Sequence, residues 1–413
     1  MVSQQETGVQ TTEGRIEKRP LVIKPIKLIF YTVFIFVFLL SGFIVMADVI
    51  PYRMNLVSLL VIPLFFLYGL RIDRIGILFG LLTSIVFLSA IYNQVSVTQT
   101  ILFFRGILFT FLIYSVVRFF VNKNNITTII RLCVIIGMVQ LPIMLFQIMT
   151  YDFLPGRITS GLGISRLDYD FGTFHFKGDA AMTFFLTLLI IFLLFDLKRI
   201  YIIRYRWFVV LWLTLTVLLS NSELMKFAVI IVWVVYSIRY FNVRTLIYGA
   251  TGLLLVFGIL TFAGVFDEII ADFSRALSGN LSTADSKVAA FNSGNYGRGA
   301  AIDFYLNNEL EVIGDGPSKY YDVVTRERTR GNYGHIFTYY SEVGLLGLLF
   351  SYLIFFFIAF PMRDGHIRVS WVGFLMFAVL VMLSITTDIM PNISIVLIYC
   401  IVALTYLIPM QEA

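Results

Sequence analysis

The sequence is poor in charge. Only 14% of its 413 residues are Asp, Glu, Lys or Arg, against 59% hydrophobic. A water-soluble domain carries about 25% charged residues, so this chain cannot clothe its surface for water, and its natural solvent is a bilayer. Cysteine is nearly absent. Cys133 and Cys400 both lie inside apolar runs, which excludes a disulfide framework and a zinc-ligand spacing and leaves core packing. No Walker loop, zincin helix, nucleophile elbow or dinucleotide fingerprint occurs. ATP as an energy source is therefore not implied, no cofactor or metal is expected, and an activated substrate would bring its own leaving group. There is no fixed-period repeat and no matching pair of broken helices, the signal of an inverted-repeat transporter. The net charge of +6 does not point to nucleic acid, because the basic residues come in short blocks between apolar runs, as in cytoplasmic loops.

What is present is a succession of apolar runs. A spanning helix needs about 20 mostly apolar residues. About twelve stretches meet that requirement, at 28–46, 55–70, 74–92, 101–121, 126–149, 181–197, 206–222, 224–240, 244–264, 336–360, 367–387 and 391–409. The expected fold class is an all-α polytopic membrane protein. Residues 1–27 are polar and then basic (Arg15, Lys18, Arg19, Lys24, Lys27) and read as a disordered cytoplasmic tail before an uncleaved first helix. With that end inside, the inner loops collect Arg71, Arg74, Arg118, Lys123, Lys198, Arg199, Arg204, Arg206, Arg239, Arg244, Arg363 and Arg368, and the short outer links hold little charge. The positive-inside rule asks for that asymmetry, and it places both termini in the cytoplasm. Residues 28–264 hold the first nine helices and residues 336–409 the last three. Two outer loops are long, 151–180 and 265–335, and loops of that length are usually functional or disordered. Within the second, Arg298 to Leu310 has the pattern of a short interfacial helix.

The stretch from Gly297 to Gly347 concentrates the polar chemistry. His335 and Glu342, seven residues apart, fall on nearly one face at the start of an apolar helix, with Thr338 and Tyr339 between. Ionisable groups at such places are costly and mark function by default, here a base or proton relay; a helix cap and an interior hydrogen bond are the plainer alternative. Arg298 stands between two glycines, where backbone and guanidinium can approach phosphate oxygens. Arg326, Arg328 and Arg330 cluster around Glu327 and would hold a diphosphate or an acidic sugar, or form a solvated face. Arg105, about five residues into its helix, and Lys226, near the outer end of another, are candidates for the same anion; Glu223 would neutralise Lys226 in the plainer reading. The first long loop adds Arg157, Arg166, Lys177 and His175, with Asp168-Tyr169-Asp170 as a weak metal-type carboxylate pair. His366 sits in a cytoplasmic turn and reads as solvated.

These residues resemble a known family, the bacterial O-antigen polymerases and O-antigen ligases (the Wzy and WaaL types of membrane glycosyltransferase). The resemblance lies in about twelve helices with one large outer loop in the C-terminal third. It lies also in Gly297-Arg298, Asn307-Asn308, Gly314-Asp315-Gly316-Pro317, Gly334-His335 and Glu342-Val343-Gly344-Leu345-Leu346-Gly347. Gly172-Thr173-Phe174 looks like the family's upstream motif. The family's Ser-Arg is replaced here by Ser220-Asn221-Ser222-Glu223 with Lys226 beyond it, a point charge without the guanidinium fork. The resemblance implies a GT-C-like fold in the bacterial inner membrane. It also implies transfer of a glycan from undecaprenyl diphosphate to a sugar hydroxyl, and a chain-length regulator as partner. In a polymerase the acceptor is another lipid-linked repeat unit; in a ligase it is lipid A–core. Arg298, with Arg105, Lys226 or the 326–330 cluster, would clamp the leaving diphosphate, and His335 held by Glu342 would be the base. A lipid-linked sugar transporter is the competing class.

Overall fold

The computed structural model describes residues 25–41, 73–121, 125–150, 170–174, 178–195, 203, 205–240, 312–317, 334–363, 366–367 and 370–407. In chain order the elements are α1 (Pro25–Ile35, continued by a π-turn over Phe36–Leu40), α2 (Arg74–Tyr92), α3 (Val97–Phe120), α4 (Ile126–Thr150), α5 (Asp179–Phe195), α6 (Arg206–Leu219), α7 (Glu223–Arg239), α8 (His335–Ala359), α9 (Trp371–Ser384) and α10 (Ile393–Leu407). Between α8 and α9, β1 (Met362–Arg363) and β2 (His366–Ile367) form a minimal antiparallel pair that aligns Arg363 with His366. Every described helix falls on one of the expected apolar stretches; 55–70 and 244–264 lie outside the described residues. Among the described residues four helices, α2, α3, α4 and α8, are long and apolar enough to cross a membrane.

Three helices, α2, α3 and α9, start where a polar side chain supplies a missing backbone partner. Asp73 accepts the Gly76 N–H at 2.7 Å and so caps α2. Tyr114 and Arg118 of α3 reach back to the same carboxylate and tie the α2–α3 hairpin at that end. Ser96 caps α3 and Ser370 caps α9. Pro142 interrupts α4: it has no N–H, so the Met138 carbonyl four residues back loses its helical donor. The Trp212 indole of α6 donates to that carbonyl at 3.0 Å, so a gap in one helix becomes a cross-link to the next.

Helix α5 is the axis of the bundle. All its residues from Ala181 to Phe195 are buried, and it packs against α4, α6, α7, α9 and α10. A helix apolar on every face is at rest only when protein surrounds it. The peripheral helices turn Ile77, Leu88, Ile91, Ile135, Phe146, Phe227 and Ile238 outward. An outer surface of that kind suits acyl chains better than water.

Helix α8 is the exception to regular geometry. Gly344 adopts φ 77° and ψ −174°, so the helix breaks into 335–343 and 345–359. The break frees carbonyls at Ser341 and Glu342 and the N–H of Leu346. Residues 312–316 run into the gap and answer all three. The Asp315 N–H donates to Ser341 O at 2.7 Å and the Gly316 N–H to Glu342 O at 3.0 Å, while Leu346 N–H reaches Val312 O at 3.4 Å. From α2, the Ser89 hydroxyl reaches Glu342 O at 3.0 Å and the Asn93 amide donates to Gly314 O at 2.7 Å. Irregular backbone at membrane depth persists only when protein satisfies it in this way. The expected continuous helix over 336–360 is corrected accordingly: it is two half-helices clasped by the Gly314-Asp315-Gly316 turn.

Candidate functional site

The N-terminal half of α8 begins at His335, whose own N–H donates to Thr387 O at 3.1 Å. This contact fixes the start of α8 against the turn between α9 and α10. The imidazole is wholly buried. Its Nδ1 lies 2.9 Å from Asp388 Oδ1, and its Nε2 lies 3.0 Å from Ser351 Oγ in the second half of the same helix. A carboxylate only accepts, so Nδ1 carries a proton. Ser351 gives its single proton to Leu348 O at 2.7 Å, and in that arrangement Nε2–H donates to the hydroxyl. In the neutral ring, protonated at Nδ1 alone, Ser351 turns its proton to Nε2 instead and Nε2 accepts. The ring lies against that of Tyr339, centroids 4.1 Å apart and planes tilted by 41°, and the Tyr339 hydroxyl contacts Met390 Sδ at 2.9 Å.

His335 is therefore held by Asp388 and Ser351, and the expected holder, Glu342, is not its partner. Glu342 is buried two residues before the break, and its backbone carbonyl is the acceptor that ties the break to α2 and to Gly316. Asp388 and Ser351 escaped the sequence reading. A signal for Asp388 existed: it is the sole charged residue between Arg368 and Glu412, and a lone carboxyl between two apolar runs needs a partner.

Arg105 is exposed on α3; its neighbour Gly106 faces the other way and packs on Pro391, three residues beyond Asp388. Lys226 is half-buried in the first turn of α7. Arg298, Arg157, Arg166, Arg326, Arg328 and Arg330 lie outside the described residues, as do Asp168 and His175.

The upstream motif folds as a buried turn. Gly172 takes φ 61°, and a Cβ there would stand 2.2 Å from Gln140 Oε1, so both conformation and space demand glycine. Gln147 of α4 clamps Gly172 from both sides, donating to its carbonyl and accepting from its N–H, each at 2.8 Å. Gln140, two turns earlier on the same face, accepts the Thr173 N–H at 2.9 Å and donates to its hydroxyl at 2.8 Å. Thr173 in turn donates to Phe38 O at 2.5 Å, and Phe174 packs on Phe38 and Phe185. Truncating Gln147 leaves two buried backbone groups unpaired, each costing roughly 1–3 kcal/mol. Gln147→Leu is accordingly expected to lower the thermal midpoint of the purified protein, with a conservative Ile148→Val as control; an unchanged midpoint contradicts the clamp.

Just before that turn, Asp170 is wholly buried. Its Oδ2 accepts the Asn221 N–H at 2.6 Å in the link between α6 and α7. Burial pushes its carboxyl above the usual range, opposed by the Asn221 hydrogen bonds and by the charge of Lys226. The electrostatic neighbour of Lys226 includes Asp170, which the sequence reading had paired with Asp168.

No family model, curated protein or solved structure matches this chain.

Proposed function

We propose that this chain is a membrane glycosyltransferase that joins undecaprenyl-diphosphate-linked oligosaccharide repeat units into a surface polysaccharide, such as an O-antigen, capsule or exopolysaccharide. The observation that carries the reading is the join at Gly344. There Gly314-Asp315-Gly316 and Glu342-Val343-Gly344, two motifs through which the chain resembles the polymerases and ligases, are hydrogen-bonded to each other. The same half-helix opens on the third motif, Gly334-His335, with a buried imidazole–carboxylate pair. In this proposal the chain has about twelve spanning helices in a GT-C-like arrangement, lies in the bacterial inner membrane and has both termini in the cytoplasm.

The chemistry is a substitution at an anomeric carbon. The acceptor sugar's hydroxyl oxygen forms the new glycosidic bond, the bond to the diphosphate oxygen breaks, and the lipid diphosphate leaves with the electron pair. His335 takes the hydroxyl proton at Nε2 once Ser351 has given that position up. Asp388 fixes the tautomer through Nδ1–H and steadies the imidazolium that forms, as a carboxylate does for a catalytic histidine generally. Arg298, together with Arg105, Arg157, Arg166, Lys226, Arg326, Arg328 and Arg330, is the set from which the diphosphate clamp is drawn. One observation favours a different class: a broken membrane helix is also how transporters build substrate sites.

Reconstitution separates these readings. Protein in liposomes receives lipid-linked repeat unit alone, without ATP, and products are resolved on a gel. A ladder of chain lengths is the expected result. A single transfer that appears only with lipid A–core makes the enzyme a ligase. Unchanged substrate that has crossed to the other leaflet makes it a transporter and removes the polymerase reading.

A further inference from the structure

Asp170 has a chemical loose end. One carboxylate oxygen is committed to the Asn221 N–H, yet the other, Oδ1, is buried and has no hydrogen-bond partner among the described residues. Leaving such an atom unpaired costs roughly 1–3 kcal/mol, more for a charged group, and native proteins rarely leave one without a reason. The surroundings narrow what could answer it. Lys226 is within electrostatic reach, so the local field disfavours a second cation. Among the described residues no three His, Cys, Asp or Glu side chains gather as a metal site. A hydroxyl suits the position in either protonation state, since it donates to a carboxylate and accepts from a carboxylic acid. The position is also rigid. Asn221 holds one oxygen, and two residues on, Gly172 and Thr173 are locked to Gln147 and Gln140. A group held that firmly by neighbours is suited to orienting a ligand.

We propose that Asp170 Oδ1 is a hydrogen-bond acceptor for a sugar hydroxyl of the lipid-linked glycan, a glycan-binding position at the α6–α7 link separate from the His335–Asp388 pair. The inference rests on the glycan-transfer reading for the identity of the ligand. It assigns Asp170 a binding role and no part in bond making.

The test uses full-length protein in lipid nanodiscs and two probes, read by native mass spectrometry. One is undecaprenyl-diphosphate-linked oligosaccharide extracted from the cells that make this protein. The other is bare undecaprenyl diphosphate. Asp170→Asn keeps an oxygen for the Asn221 N–H and turns the other acceptor into a donor. The expected result is that D170N retains the glycan-bearing lipid about 10- to 100-fold more weakly, the range for losing a hydrogen bond to a charged group, and retains the bare lipid as before. Intact binding of bare lipid also reports a folded variant. Should D170N not accumulate, Asp170→Glu, which moves the carboxylate by one methylene, is expected to give the same split. Equal loss of both lipids makes Asp170 structural only and overturns the proposal, as does no loss of either. Wild-type protein that binds neither lipid overturns the glycan-transfer reading itself.

Discussion

Asp388→Asn is expected to slow polymer formation about 10²–10⁴-fold, the contribution typical of a positioned acid–base group, while the protein still inserts and purifies as a folded species. The amide is nearly isosteric with the carboxylate, so the turn between α9 and α10 stays packed. What changes is the electrostatics. Asp388 Oδ1 lies 2.9 Å from Nδ1 of a fully buried imidazole. The carboxylate both selects the Nδ1–H tautomer and offsets the charge that His335 gains when it takes a proton. An asparagine can offer its oxygen to Nδ1–H but brings no charge, and if flipped it offers a donor that enforces the wrong tautomer. His335→Ala is expected to fall at least as far, and the double variant no further than the worse single one, because the two residues act as a unit. The check is the initial rate of ladder growth in liposomes, normalised to folded protein. Wild-type rates from D388N remove the pair from the mechanism, whatever becomes of the polymerase reading.

The largest effect on folding is expected at Gly344. The backbone there, φ 77° and ψ −174°, is accessible almost only to glycine and costs any other residue roughly 1–3 kcal/mol. Space is a second barrier. A Cβ would stand 2.4 Å from Val312 O and 2.6 Å from Gly314 N, and both obstacles are main chain that cannot rotate away. Gly314 faces the mirror problem, with its own Cβ position 2.2 Å from Ser341 O. Either Gly344→Ala or Gly314→Ala must unclasp the turn and expose the carbonyls of Ser341 and Glu342 in an apolar setting. Both variants are expected to lose most folded protein, seen as a collapse of the monodisperse peak after detergent extraction. Gly80→Ala, at a position open to its surroundings, is expected to behave like wild type. A normal yield of G344A means the break is not part of the native backbone.

The helices themselves were legible. The apolar run at 74–92 coincides with α2, and 126–149 differs from α4 by one residue at its end. Length and apolarity decide where a helix can span, and both are local properties. Which helix meets which was not legible. In a water-soluble bundle the polar face points outward and the pattern names the inner one. Here lipid-facing and core-facing positions are equally apolar, so periodicity carries no direction; α5, buried on every side, reads in sequence much like its neighbours. The pairing of His335 with Asp388 spans 53 residues, and only the fold brings such groups together. The break at Gly344 was hidden for another reason. Glycine is frequent in spanning helices, and nothing in Val343-Gly344-Leu345 separates a tolerated glycine from one forced into a left-handed conformation. The glycine-rich motif was visible, but its role as a clasp came from a backbone turn elsewhere in the chain.

The burial of α5 also bears on how the protein meets membranes of different thickness. From Ala181 to Phe195 every residue is buried, so this stretch presents no side chain to lipid. Outside it, α3 with 24 residues and α4 with 25 turn apolar side chains such as Ile101 and Phe146 outward and reach about 36 Å, more than a typical hydrocarbon core of about 30 Å. Hydrophobic mismatch acts only on segments that touch lipid. A thicker or thinner bilayer would therefore be met by tilt in the long outer helices. The central one, lined by protein along its described length, would keep its place, and with it the Gly172 turn that packs through Phe174 on Phe185 near its start.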